Sequence, residues 1–300
     1  MLASEIPLPR ASSRPLEETE RVDDRSASAR EQLSRVKRRV PEVQTRIGHR
    51  RWGHIVNLPS AMERMNRERV VINRAYHKMH EIALSCALRP VATSLHLCEA
   101  PGGFVQCTSD HLRSETGWTW RAVTLRDGVP LSPATVSRTD GAVLFADVLT
   151  EQDRVASEVA EAFPNGVELV TADGATVMQH ENMEEEHYPL AVAQVRIALR
   201  CLAANGVLVL KLFECLHPRT RDVIAALTQC FDSVSLIKPG SSRPTNSERY
   251  LVCRVFDGCT RTLDGGACVH ADGWMTEYTH AVDSLASQQT SALERVFASV

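Results

Sequence analysis

Seven short apolar runs, most of them separated by longer amphipathic stretches, constrain the fold of this 300-residue chain more than any other feature. The runs fall at 94–98, 119–125, 142–146, 167–172, 206–213, 233–237 and 249–256. Helical periodicity occupies 103–113, 150–162, 185–204 and 217–230. Parallel strands cannot be joined by a tight turn, and a helix between successive strands supplies the crossover they need. The alternation therefore predicts an α/β fold, a seven-stranded and mostly parallel sheet with helices on both faces. One pair breaks the rule. Only a loop separates "SVSLIK" from "ERYLVCRVF", so one strand is expected to run antiparallel.

The runs divide the chain into a central domain, 60–256, and two flanks. Residues 1–50 are rich in Arg, Ser, Glu and Pro with few large apolar groups, which predicts a disordered or loosely helical arm. Its end, "VKRRVPEVQTRIGHRRW", gathers Lys37, Arg38, Arg39, Arg46, Arg50 and Arg51. Such a cluster suits either attraction of an RNA backbone or a solvated, localising arm. Residues 257–300 form a C-terminal extension whose "SLASQQTSALERVFASV" reads as helix. Inside the domain, Met79, Ile82, Ala83 and Cys86 fall at i, i+3, i+4 and i+7. Residues 60–88 therefore read as helix, stopped by Pro90.

Composition excludes several classes. Apolar residues at 43% support a globular core, and a net charge of −3 confines any nucleic-acid site to a local patch. The nine cysteines are scattered without framework spacing, which fits reduced thiols and an intracellular setting, nucleus or cytoplasm. Cys253, Cys259, Cys268 and His270 match no standard zinc spacing, so no metal is expected. No run approaches the roughly 20 apolar residues of a membrane span. Glu5, with no apolar core after it, argues against a secretory signal. Neither observation points to a membrane partner.

The first predicted strand ends in "LCEAPGGF", residues 97–104. In an open α/β sheet, ligands sit beyond the carboxyl ends of the strands, so this glycine turn predicts a nucleotide-like ligand. Pro101 interrupts any G-x-G-x-x-G pattern, and no GK[ST] is present for a phosphate. The turn suits a ligand that needs close backbone packing but carries no pyrophosphate, as S-adenosylmethionine does. An ordinary strand-to-helix turn is the plainer reading of the same stretch. In "LFADVLT", Asp147 and Val148 follow another strand. The carboxylate is placed either to accept from an adenine amino group or to cap the next helix. Asp127 in "TLRDG" faces a ribose or simply makes a turn.

Four charged residues stand in improbable places. Lys211 interrupts the apolar run "GVLVLKLF", and an ammonium in such a strand is costly unless paired or functional. Asp173 ends "VELVTAD", Glu248 opens the last strand, and Lys78 lies one step off the helical seam. With these pieces the chain resembles the FtsJ-like family of RNA ribose 2′-O-methyltransferases. "RAYHKMHEI", "LCEAPGGF", "FADVLT", "TADGA", "LVLKLFE" and "SRPTNSERYLV" occur in the family's order over about residues 70–255. The resemblance implies a Rossmann-like, S-adenosylmethionine-dependent methyltransferase fold. It places the family's Lys-Asp-Lys-Glu catalytic tetrad on Lys78, Asp173, Lys211 and Glu248. It implies donor binding by Cys98, Glu99, Ala100, Pro101, Gly102, Gly103, Phe104, Asp147, Val148 and Asp173. The closing "SRPTNSERY" is most similar to the cap-specific branch, which implies the capped 5′ end of mRNA as substrate, in the setting of the capping or transcription machinery.

The residue types suit that chemistry. A ribose 2′-hydroxyl is a poor nucleophile, and two lysines beside it favour its alkoxide-like form during an in-line displacement. Asp173 and Glu248 would orient those lysines. Arg74, Arg243 and Arg249 are candidate phosphate contacts, and Trp52, Tyr76, Trp118, Trp120, Tyr250 and Trp274 are the rings available for stacking on RNA. Ribosomal or transfer RNA is the competing substrate. A catalytically idle RNA-binding subunit would be free to lose Lys211, and a nicotinamide dehydrogenase would need the missing glycine fingerprint.

Overall fold

A computed structural model describes residues 5–10, 24–175, 183–258 and 273–300. Chain order begins with β1 (Ile6–Leu8), α1 (Asp24–Arg38), α2 (Val40–Ile47), α3 (His49–Val56), α4 (Ala61–Met65) and α5 (Arg74–Ser85). It continues with β2 (Thr93–Leu97), α6 (Gly103–His111), β3 (Thr119–Thr124), α7 (Pro133–Val136), β4 (Gly141–Phe145) and α8 (Gln152–Ala162). Then follow β5 (Val167–Ala172), α9 (Met183–Cys201), β6 (Leu202–Phe213), α10 (Pro218–Cys230), β7 (Phe231–Ile237), β8 (Glu248–Phe256) and α11 (Trp274–Ala298). All seven predicted strands are present within a few residues of their expected bounds.

The sheet runs β1-β7-β8-β6-β5-β2-β3-β4. β6, β5, β2, β3 and β4 are mutually parallel, and β8 runs antiparallel to both β6 and β7. β8 is the antiparallel strand that the short loop before it demanded. β1 adds an eighth strand, antiparallel to β7. The chain winds outward from β2 through β3 to β4 and then returns to β5 on the other side of β2. The topological switch therefore lies between the carboxyl ends of β2 and β5, where Cys98 and Asp173 emerge.

Strand alternation sorts side chains onto two faces. Val170, Ala172, Leu208, Leu210 and Leu251 enter the larger core with α8, α9, α10 and α11. Leu169, Val209, Tyr250 and Val252 enter the other core, under Tyr76, Met79 and Ile82 of α5 and Phe104 of α6. By the same alternation Asp173, Lys211 and Glu248 share this second face.

The helix expected over 60–88 is two helices. Ser60 and Glu63 form a capping box for α4, and Asn73 caps α5 by accepting from the Ala75 amide at 3.2 Å. Asn66 bonds the rings of His77 (3.3 Å) and His80 (3.0 Å), tying the intervening turn to α5. The flanks also differ from expectation. Where a disordered or loosely helical arm was expected over 1–50, the described residues form β1 and α1 to α3. Leu33 and Val36 of α1 pack on Ala286 and Leu293 of α11, while Val43, Trp52 and Val56 form a cluster beside Val296 and Phe297. The arm's apolar stripe is thin, and its burial depends on a helix at the far end of the chain, which local composition does not reveal. α11 is longer than the helix expected in the extension. Cys259, Cys268 and His270 lie outside the described residues, and no described helix is long and apolar enough to cross a membrane.

His96 in the middle of β2 is fully buried and bonds Ser94 Oγ at 2.9 Å and Thr171 Oγ1 at 2.8 Å. Burial pushes its imidazole down from 6.5 to about 3. Between those values the unfolded chain takes up a proton that the folded chain refuses, so this contribution is intact above pH 6.5 and is lost as pH falls toward 3. His96→Gln should flatten the acid-side loss of stability, read from urea midpoints at about pH 7 and about pH 4.5. Equal losses in variant and parent would remove His96 as a source.

Candidate active site

Register brings three of the four charged residues together before any side-chain detail is considered. Ala172 pairs with Leu210, so the next residues, Asp173 and Lys211, are neighbours, and Lys211 pairs directly with Tyr250. Glu248 lies two residues before Tyr250 and so shares its face. α5 crosses that face and lowers Lys78 onto it.

The side chains complete a continuous set of contacts. Lys211 Nζ donates to the Asp173 main-chain oxygen at 2.7 Å and lies 3.2 Å from Asp173 Oδ1. Lys78 Nζ lies 2.9 and 3.0 Å from the two Glu248 carboxylate oxygens. Tyr250 joins the pairs: its hydroxyl donates to Asp173 Oδ1 at 2.7 Å and accepts from Lys78 Nζ at 3.3 Å. Lys211 and Glu248 are each only 5% exposed, so pairing is what makes their burial tolerable.

The electrostatics follow from this packing. Burial works to lower the Lys78 pKa, but Asp173 and Glu248 outweigh it and hold the ammonium above its usual range. Burial works to raise Asp173, but Lys211 and Lys78, with the tyrosine hydrogen bond, keep its carboxylate below the usual range. Burial and the two carboxylates push the Tyr250 phenol well up, so it stays a neutral donor.

The loop between β7 and β8 delivers Glu248 and is gripped from several sides. Glu81, one turn after Lys78 on α5, accepts from the Gly240 amide (2.8 Å), the Ser241 amide (3.0 Å) and Ser241 Oγ (2.9 Å). Lys238 Nζ donates to the carbonyls of Asn246 and Glu248, and burial pushes its pKa down to about 7. From α11, Gln289 Nε2 donates to the carbonyls of Pro244 (3.0 Å) and Asn246 (3.1 Å). From α1, Lys37 reaches Ser247 Oγ and the Glu214 carboxylate. Ser242 Oγ donates to Glu248 Oε1 at 3.1 Å.

The glycine turn is built for tight packing. The positive φ of Gly102, 117°, and the Thr135 side chain where a Cβ would sit both exclude larger residues. A Cβ at Gly103 would overlap Asn73 and the Tyr76 amide, so this glycine lets α6 pack against α5. Phe104 is buried in the core beneath. Glu99 turns back into the first turn of α6, where its Oε1 accepts from the Val105 amide at 2.9 Å, and burial raises its pKa to about 8. A helix N-terminus at the end of a strand is a ready phosphate site, but here the protein's own carboxyl fills it. The turn therefore fits a nucleoside ligand without a pyrophosphate. Ala100 and Pro101 are its half-buried outer part, and Cys98 lies beneath, its Sγ 3.5 Å from Gln194 Nε2. Asp147 Oδ1 accepts from the Leu149 amide at 2.9 Å, which spends one oxygen on its own loop. Val148 beside it is buried.

Several residues marked in the sequence serve elsewhere. Arg249 is 1% exposed and donates to the Glu214 carbonyl at 2.6 Å, and Arg74 pairs with Glu63 at 3.0 Å. Trp120 and Tyr250 are buried packing residues, unavailable for stacking on a base. Tyr250 as a bridge, and Glu81, Lys238 and Gln289 as loop clamps, were missed. Glu81 had one signal, an acid three residues from Lys78 on an amphipathic helix.

This sheet, with its glycine turn at the switch point, defines an α/β fold of Rossmann-like topology. The profile of the FtsJ-like methyltransferase family matches residues 71–256, more than half of the chain, and the chain belongs to that family. A cap-specific mRNA (nucleoside-2′-O-)-methyltransferase 2 from Danio rerio is 30% identical over 210 residues, 60% of this chain and 28% of the relative. A cap-specific mRNA (nucleoside-2′-O-)-methyltransferase 1 from Trypanosoma brucei brucei is 31% identical over 216 residues, 63% of this chain and 56% of the relative. The match thus spans between about a quarter and just over half of these relatives' length. A crystal structure of a Plasmodium falciparum protein described as a ribosomal RNA methyltransferase superposes with a TM-score of 0.50 at 16% identity, covering 62% of this chain and 99% of that one, and shares the fold.

Tyr250→Phe keeps the ring and removes only the hydroxyl that joins the two ion pairs. Methyl transfer should fall about tenfold to a hundredfold, in the range of a lost positioned polar group, while the thermal midpoint shifts by only a few degrees. Unchanged turnover would show that the pairs hold their geometry without the bridge.

Proposed function

We propose that this chain is an S-adenosylmethionine-dependent RNA 2′-O-ribose methyltransferase that acts on a cap-proximal nucleotide of mRNA. The observation that carries the reading is the Lys78–Glu248 and Lys211–Asp173 pairs joined at Tyr250, beside a turn whose helix N-terminus is already filled by Glu99. When bound, S-adenosylmethionine supplies an electrophilic methyl group on a sulfonium. Cys98 to Phe104, Asp147, Val148 and Asp173 are the residues that would hold it. The relatives, named as cap-specific mRNA 2′-O-methyltransferases, support the capped mRNA as acceptor, and that acceptor would set the enzyme at an intracellular site beside the capping or transcription machinery.

In this reading the lysines act on the acceptor oxygen. Negative charge would develop at the 2′-oxygen as its O–H bond loosens, and Lys211 and Lys78 would stabilise that charge from fixed positions. Asp173 orients Lys211 through two contacts, and Glu248 orients Lys78 through both carboxylate oxygens. The pairing that makes the lysines tolerable in the apolar face also fixes where their remaining N–H groups point. The 2′-proton would leave to water.

Lys211→Ala and Asp173→Ala should each reduce methyl transfer by about a hundredfold to a thousandfold or more without loss of the folded state, measured with labelled donor and short capped RNA. Near-normal turnover in either variant would sink the mechanism. Parallel assays with methylated-cap, unmethylated-cap and uncapped RNA, followed by mapping of the modified ribose, test the substrate. Transfer that ignores the cap would replace the cap reading with a ribosomal or transfer RNA substrate.

A further inference from the structure

The family match begins at residue 71, yet the helical arm before it is anchored beside the active site. Lys37, in the last turn of α1, contacts the Glu214 carboxylate and Ser247 Oγ, and Ser247 Oγ in turn donates to Glu214 at 2.7 Å. Ser247 immediately precedes Glu248, and Glu214 lies three residues beyond Lys211 at the end of β6, roughly 10 Å along an extended strand. The arm is thus tied to the two chain segments that present catalytic candidates.

The arm's charge differs from that of the rest of the molecule. Residues 29–57 hold eight basic and two acidic side chains, a surplus of six in a chain of net charge −3, so the remainder is net negative by nine. The apolar residues Leu33, Val36, Val43, Trp52 and Val56 face inward, and this leaves the arginines outside. Arg35, Arg38, Arg39, Arg46, Arg50 and Arg51 are all exposed. Arg35 pairs with Glu31 at 3.5 Å, but Arg46, Arg50 and Arg51 have no carboxylate within ion-pair distance among the described residues. Exposed, uncompensated arginines on a docked helical scaffold form a surface for a polyanion. The polyanion that the proposed function brings to the carboxyl end of β6, where Lys37 anchors the arm, is single-stranded RNA.

We propose that α2 and α3 form a phosphate-binding surface, centred on Arg46, Arg50 and Arg51, for the stretch of substrate RNA that extends beyond the nucleotide in the active site. The inference rests on RNA being the substrate. It assigns a partner to an element outside the family match and makes the arm sequence-independent in what it reads, since only phosphates are contacted.

The test uses the full chain and equilibrium binding of a labelled, uncapped single-stranded RNA of about 25 nucleotides, so it does not depend on turnover. In Arg46→Ala/Arg50→Ala/Arg51→Ala the affinity should fall at least about tenfold. The slope of log K against log salt should flatten by about 2, as expected for three lost contacts to a single strand. A control variant, Arg89→Ala/Arg113→Ala, alters exposed arginines near the amino ends of the strands and should change both quantities far less. KM for a very short capped RNA should be unchanged in the triple variant, while KM for the long capped RNA should rise. Equal affinity and slope in the triple variant and the parent would overturn the proposal, as would equal losses in the control. A parent protein that binds the long RNA through the arm but transfers no methyl group to any RNA would instead overturn the proposed function.

Discussion

Two lysines on the buried face of a β-sheet set the terms for the rest of this molecule. A lone ammonium among Val209, Val252 and Leu169 would be severely destabilising. Each lysine is therefore given a carboxylate, and the four charges cancel. Cancellation alone would not hold the geometry. Tyr250 ties one pair to the other from the centre of β8, and its phenol stays neutral because both carboxylates oppose its ionisation. The fold's parallel centre, the reversal at β8 and the crossing of α5 all bear on this one arrangement.

The glycine turn contributes in a different way from a phosphate-binding loop. Its glycines permit close packing against α5 and α7, and the helix N-terminus it opens is satisfied by Glu99. The turn so becomes a neutral, closely packed ledge at the switch point of the sheet, a few ångströms in register from Asp173. Ledge and charged set are neighbours because β2 and β5 are neighbours, although 74 residues of chain separate Glu99 from Asp173.

Much of this was legible in the sequence because the signals are local. Strands and helices announce themselves by period. Lys211 was conspicuous by standing inside an apolar run, and Asp173, Glu248 and Lys78 were recognisable by their order around the same motifs. Arg249 and Arg74 show where this kind of reading fails: being next to a motif does not decide whether a side chain points to a ligand or to a carbonyl behind it. Tyr250 was counted among the rings available for stacking on RNA, and it is instead both a packed ring and the hydroxyl between the pairs. The arm over 1–50 was read as disordered or loosely helical because its stripe of Leu33, Val36, Val43 and Trp52 is too sparse to suggest a core by itself.

By itself, then, the sequence determined the α/β class, the antiparallel last strand, the place of the ligand turn and the four charged residues of the site. Those features follow from periodicity and from the short-range cost of putting a charge in an apolar run, both of which act within a few residues. Tertiary structure alone decided what those charges touch. It decided that Glu81, Lys238 and Gln289 hold the loop before Glu248, that Lys37 reaches that loop from the other end of the chain, and that Glu99 faces its own helix. These contacts join residues up to 210 positions apart. They depend on strand register and helix crossing, which no local pattern of residues encodes.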